Sequence, residues 1–94
     1  MRIAIVGTGY VGLATGIAFA EKVHSVSCID IDDEKIMLLS KGISPFYEPG
    51  IDTFLNKHLH SGKIFFTTSY KEGLTDAEMI ILAVGTPALQ DGRA

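Results

Sequence analysis

A single cysteine, Cys28, stands in the 94 residues. One thiol excludes an internal disulfide and suits a reducing compartment, so the expected location is cytoplasmic. Long apolar runs are missing too. The longest, Met79 to Val84, falls far short of the roughly 20 residues that cross a bilayer. No leader segment is expected, because only Ile3 to Val6 separates Arg2 from a glycine. Lys/Arg runs are absent and the formal net charge is −3, which argues against nucleic acid or an anionic membrane surface as main partner. No repeat or low-complexity tract occurs. Metal spacing is lacking as well: His58-x-His60 is not the i, i+4 pair a helix presents, and no cysteine lies nearby. Those two read as solvated helix-end histidines near Lys57 and Lys63, and no metal is expected.

What is present begins at the first strand. Arg2 to Val6 is apolar enough to be buried. It runs into Gly7-Thr8-Gly9-Tyr10-Val11-Gly12, a G-x-G-x-x-G that opens a helix from about Tyr10 to Lys22. A second apolar strand, Val26 to Ile29, ends at Asp30. Asp30 follows Gly12 at close to the roughly 20 residues expected of a carboxylate that holds a ribose. Gly7 allows the tight turn, Gly9 lets a pyrophosphate approach the backbone, and Gly12 lets the helix pack closely. The helix N-terminus offers N–H groups and partial positive charge to the phosphates. Asp30 can accept both adenosine ribose hydroxyls and would repel a 2′-phosphate, which favours NAD over NADP.

Helix and strand patterns then alternate. The inner stripe of the first helix is expected at Tyr10, Leu13, Ala14, Ile17 and Ala18. A second helix starts at a cap, Asp32 or Asp33, runs to about Lys41 and stops at Gly42. The loop Ser44 to Gly50 carries two prolines. A third helix shows apolar spacing at Ile51, Phe54, Leu55, His58 and Leu59. Glu48 reads best as a cap for it. Ile64 to Thr67 is a strand, Ser69-x-x-Glu72 a capping box, and Met79 to Ala83 a strand expected to be covered on both faces. The order β-α-β-α-α-β-α-β predicts an α/β, Rossmann-type half-domain over 1–94: a parallel sheet of four strands in order 3-2-1-4 with covering helices, truncated before its second half. Ligands bind beyond the carboxyl ends of such strands. Gly7 to Gly12, Asp30 and the segment Val84, Gly85, Thr86 and Pro87 all fall on that edge.

These residues resemble a known family. Gly7 to Leu13, Asp30-Ile31-Asp32, Gly42 to Gly50 and Val84-Gly85-Thr86-Pro87 look like the amino-terminal domain of the UDP-glucose 6-dehydrogenases, a group that includes GDP-mannose and UDP-N-acetylmannosamine dehydrogenases. The Ser-Pro-x-Tyr-Glu-Pro-Gly loop is the most specific part. The resemblance implies an oxidoreductase that converts the C6 alcohol of UDP-glucose to a carboxylate with two NAD. It implies cofactor contacts by Tyr10, Val11, Asp30, Lys35 and Thr86, within a cofactor-binding set of Gly7, Thr8, Gly9, Tyr10, Val11, Gly12, Asp30, Lys35, Val84, Gly85 and Thr86. The family's nucleophilic cysteine, its lysine and its sugar-binding domain have no counterpart in these residues. Cys28, inside a strand without a basic partner, cannot replace that nucleophile. The 94-residue chain alone is therefore expected to bind NAD weakly, to be inactive, and to self-associate through strand 79–83. A dehydrogenase of another nucleotide sugar, or a non-catalytic nucleotide-binding or assembly fragment, are the alternative readings. One departure from the family is Val23, where glycine is usual.

Overall fold

A computed structural model describes residues 1–22, 24–46 and 49–83. The elements run β1 (Arg2–Val6), α1 (Tyr10–Glu21), β2 (Ser25–Ile29), α2 (Asp33–Ser40), α3 (Ile51–Ser61), β3 (Ile64–Thr67), α4 (Tyr70–Leu74) and β4 (Met79–Leu82). All pairings are parallel and the strand order is β3-β2-β1-β4. This is the expected topology, and it leaves β1 at the centre, with Val6 opposite both Ile29 and Leu82. The turn that follows β1 is therefore flanked by two strand ends.

The pleat sorts side chains between two faces. Ile3, Ile5, Val26, Cys28, Ile64 and Phe66 point to one face. There they pack with Leu13, Ile17 and Ala20 of α1, Ile36 and Leu39 of α2, and Ile51 and Leu55 of α3. Ala4, Val6 and Ile29 face the other way and meet Leu74 and Ala77. Cys28 is fully buried, and burial pushes its thiol up to about 12. It is an inert packing group, as its strand position implied.

Two packing expectations need correction. The buried residues of α1 are Gly12, Leu13, Gly16, Ile17 and Ala20. Tyr10 and Ala18 are exposed. The cause is the smallness of the glycines: a Cβ on Gly16 would sit 3.2 Å from Cys28 Sγ and 3.3 Å from Ile5 Cδ1. The helix thus rests on the sheet through its glycines, which rotates the inner stripe. β4 is the second correction. Met79, Ile80 and Leu82 are 41%, 53% and 73% exposed. β4 is an edge strand that pairs only with β1 among the described residues.

Helix ends follow their capping chemistry. Asp32 caps α2, its Oδ1 accepting from Lys35 N–H at 3.1 Å. Ser69 caps α4 by accepting from Glu72 N–H. The reciprocal half of the box is relayed, because Glu72 accepts from the Thr67 hydroxyl, which in turn accepts from Ser69 N–H. α2 and α3 stop at Gly42 and Gly62, with φ of +83° and +79°. Each is followed by a backbone bond reaching back five residues, Ile43 to Leu38 and Lys63 to His58. After α1 the same bond runs from His24 N–H to the Phe19 carbonyl at 3.2 Å, across Val23, which lies outside the described residues. Glycine occupies that place in the other two helices. Val23→Gly is therefore expected to stabilise by about 1 kcal/mol. A thermal melt with no gain would mean that α1 ends by other means.

Candidate functional site

The carboxyl ends of β1 and β2 meet at the glycine turn. Gly7, with φ of +108°, donates its N–H to the Ile29 carbonyl at 2.7 Å, which ties the turn to β2. Gly9 caps α1 in extended backbone, and its carbonyl accepts from Leu13 N–H at 2.9 Å. A Cβ on Gly9 would meet nothing within 4 Å, whereas one on Gly12 would run into the Gly7 carbonyl oxygen. The three glycines thus have separate roles: a turn, an open approach, and a close helix-to-turn contact. Facing that approach are the first-turn N–H groups of α1, which have no carbonyl within their own helix. The residues present fit a pyrophosphate.

Asp30 stands beside the turn, and its carboxylate is organised from within the protein. Oδ2 accepts from Thr8 N–H at 2.9 Å and from the Thr8 hydroxyl at 2.7 Å. Oδ1 accepts from Asp32 N–H at 3.0 Å. Lys35 Nζ lies 3.8 Å from Oδ2. Partial burial pushes the carboxyl up, but the Thr8 hydroxyl, the Thr8 and Asp32 N–H groups and the Lys35 charge outweigh it and hold Asp30 below its ordinary range. Val6, Gly7, Ile29, Asp30, Ile31 and Tyr70 line a cleft of about 110 Å³ here. A larger cleft of about 200 Å³ lies at the opposite edge of the sheet, among Arg2, Ser25, Lys63 and Thr75. Its two glycines, Gly62 at the end of α3 and Gly73 within α4, open no helix N-terminus toward it, and open parallel sheets bind ligands at the carboxyl edge.

Of the expected site residues, Gly7, Thr8, Gly9, Tyr10, Val11, Gly12, Asp30 and Lys35 come together at this edge. Thr8 is fully buried, with both its donors on Asp30. Val11 is 68% exposed beside the open approach. Val84, Gly85 and Thr86 lie outside the described residues, as do Pro87, Tyr47 and Glu48. The sequence did not reveal that Phe46, in the proline loop, packs edge-to-face on Tyr10 with ring centroids 5.6 Å apart. That contact brings the loop to the mouth of the site.

His58 is also corrected. It is not solvated but 3% exposed, with Nε2 2.6 Å from Glu21 Oε2. Lys57 Nζ reaches the same oxygen at 3.2 Å. The His58 ring first, and Lys57 second, lower the Glu21 carboxyl below its ordinary range. The group joins the end of α1 to α3, away from the glycine turn. Its place on the apolar stripe of α3 was the signal for burial. His60 is exposed, and among the described residues no cluster of His, Cys, Asp or Glu could hold a metal ion. No helix of the described residues is long and apolar enough to cross a membrane.

A parallel sheet in this order, with a glycine turn at a helix N-terminus and an acid ending the next strand, defines a Rossmann-type dinucleotide-binding unit. Comparison with known proteins narrows the class. The chain belongs to the UDP-glucose/GDP-mannose dehydrogenase family, whose NAD-binding domain model matches residues 1–94. UDP-glucose 6-dehydrogenase YwqF of Bacillus subtilis is 50% identical over 94 residues, 100% of this chain and 21% of that protein. A UDP-glucose 6-dehydrogenase of Pseudomonas aeruginosa is 45% identical with the same coverage. Among solved structures, a ternary complex of GDP-mannose dehydrogenase from Pseudomonas aeruginosa aligns with a TM-score of 0.92 at 34% identity. It covers 99% of this chain and 21% of that one. A UDP-D-ManNAc dehydrogenase from Pyrococcus horikoshii gives 0.88 at 38% identity, covering 93% and 21%. The chain thus spans about a fifth of the length of these relatives.

Proposed function

We propose that the protein carrying this chain oxidises the C6 hydroxyl of UDP-glucose to a carboxylate, using two NAD. The observation that carries the reading is the pairing of the open glycine turn with Asp30, in a chain 50% identical to a UDP-glucose 6-dehydrogenase. NAD supplies the hydride acceptor. These residues supply binding and orientation: α1 N–H groups toward the pyrophosphate, with Asp30 and Lys35 toward the adenosine ribose. Tyr10, Val11, Val84, Gly85 and Thr86 complete the proposed cofactor contacts. The reading places the protein in the cytoplasm, where the buried, unpaired Cys28 is at ease. Incubating the intact protein with NAD and UDP-glucose tests it, with two NADH expected per sugar. NADH formed only with GDP-mannose or UDP-N-acetylmannosamine would move the assignment to that sugar. No NADH with any of the three would favour a non-catalytic nucleotide-binding role.

Self-association of the 94-residue chain through the Met79–Leu82 edge is proposed alongside. Its support is the exposure of Ile80 and Leu82 on a strand that pairs only with β1 among the described residues. Sedimentation of the chain at high micromolar concentration is expected to give a dimer or larger species. A stable monomer would refute the idea.

A further inference from the structure

We propose that Thr8 is a positioning residue for the ribose acceptor: it fixes the Asp30 carboxylate through Oδ2 and leaves Oδ1 as the oxygen that meets the adenosine ribose. The inference rests on the NAD reading above. Thr8 is completely buried, and its N–H and hydroxyl converge on one oxygen at 2.9 and 2.7 Å. A carboxylate oxygen offers about two acceptor positions, so Thr8 fills those of Oδ2. Asp32 N–H takes one position on Oδ1 at 3.0 Å, and one is left. The carboxylate can then give the ribose a single hydrogen bond, not the two that an unengaged Asp would give.

Two donors on one oxygen also stop the carboxylate from rotating. Binding then costs less, because the acceptor is aimed before the ligand arrives. Thr8 lies between Gly7 and Gly9, so the same clamp sets the spacing between the pyrophosphate turn and the ribose acceptor. Lys35, 3.8 Å from Oδ2, approaches the clamped oxygen and leaves Oδ1 clear. A buried residue with no donor left over thus shapes affinity by holding another residue.

Calorimetric titration of the intact protein with NAD tests this across wild type, Thr8→Ser, Thr8→Val, Asp30→Ala and the Thr8→Val/Asp30→Ala double variant. Thr8→Ser keeps both donors and is expected to bind within about twofold of wild type. Thr8→Val keeps the shape and loses the hydroxyl, and is expected to bind roughly tenfold more weakly. On the Asp30→Ala background the Val substitution is expected to cost nothing further. Equal binding by Thr8→Val and wild type would overturn the proposal. So would the same fold-loss on the Asp30→Ala background. If Thr8→Val does not fold, Thr8→Ala, which also removes the hydroxyl, is compared with Thr8→Ser: several-fold weaker binding by Ala than by Ser sustains the clamp, and equal binding overturns it. A wild-type protein that binds no NAD overturns the reading beneath, and this inference with it.

Discussion

Gly12→Ala is expected to lower the melting temperature by more than roughly 10 °C and to abolish NAD binding. The added methyl would strike the Gly7 carbonyl oxygen and lie 3.3 Å from Ala83 Cβ. Both neighbours are firmly held: Gly7 is tied to Ile29, and Ala83 N–H is bonded to the Val6 carbonyl at 2.8 Å. Neither can yield as the tip of a flexible side chain would. Overpacking of this kind costs about 3 kcal/mol, several degrees for each kcal/mol in a chain of this size. Gly9→Ala is the comparison that makes the result informative. Its methyl meets nothing within 4 Å and its backbone φ of −68° is ordinary, so the fold is expected to keep its melting temperature. Binding should still fall, because the methyl stands where the pyrophosphate approaches. Equal melting temperatures for the Gly12→Ala and wild-type proteins would refute the packing account. Undiminished NAD binding by Gly9→Ala would refute the phosphate account.

Asp30→Ala is expected to damage binding and stability together. A hydrogen bond to a charged acceptor contributes about 1.5–3 kcal/mol, so NAD affinity should fall by roughly one to two orders of magnitude. The same change strands the buried Thr8 hydroxyl and N–H, and an unsatisfied buried donor costs about 1–3 kcal/mol. Asp30→Asn, which can still accept from Thr8, should recover most of the stability but less of the affinity. The pH dependence carries the same signature. The folded protein holds Asp30 below its ordinary value of 3.8. Its contribution is therefore complete above that ordinary value and is lost as pH falls through the lower, folded one. The Ala variant has no such contribution to lose, so the gap in melting temperature between it and wild type should narrow in acid. Calorimetric titration with NAD and melts across the acid range measure both effects. Unchanged affinity in Asp30→Ala would remove Asp30 from the ribose site.

Topology was legible because each element carries its own signal. Gly7 to Gly12 marks a strand-to-helix turn, Asp32 and Ser69 mark caps, and Gly42 marks a stop. Those features are local in sequence, and the sheet order follows from them through crossover handedness. Pairwise detail was not legible, because it depends on how closely elements approach. The face of α1 turned because Gly16 lets the helix sit against Cys28 and Ile5. His58 is buried because Glu21, 37 positions away, reaches it. Thr8 reads as one more cofactor contact of the glycine turn until its hydroxyl is seen on Asp30. Apolar spacing describes one helix at a time and says little about a polar partner on another.

The glycine turn, its acid, the Thr8 clamp and Lys35 lie on one unbroken stretch, from Gly7 after β1 to Lys35 in the first turn of α2; Phe46 and Tyr70 only border the mouth and the cleft. α3, β3 and β4 support the sheet but add no described group to the ligand edge. A single genetic exchange in the loop between α2 and α3 would carry this whole stretch from one gene to another, with the turn, its acid and the clamp still matched. A site assembled from distant segments would be split by the same exchange. The contiguity makes this part of the protein heritable as a unit.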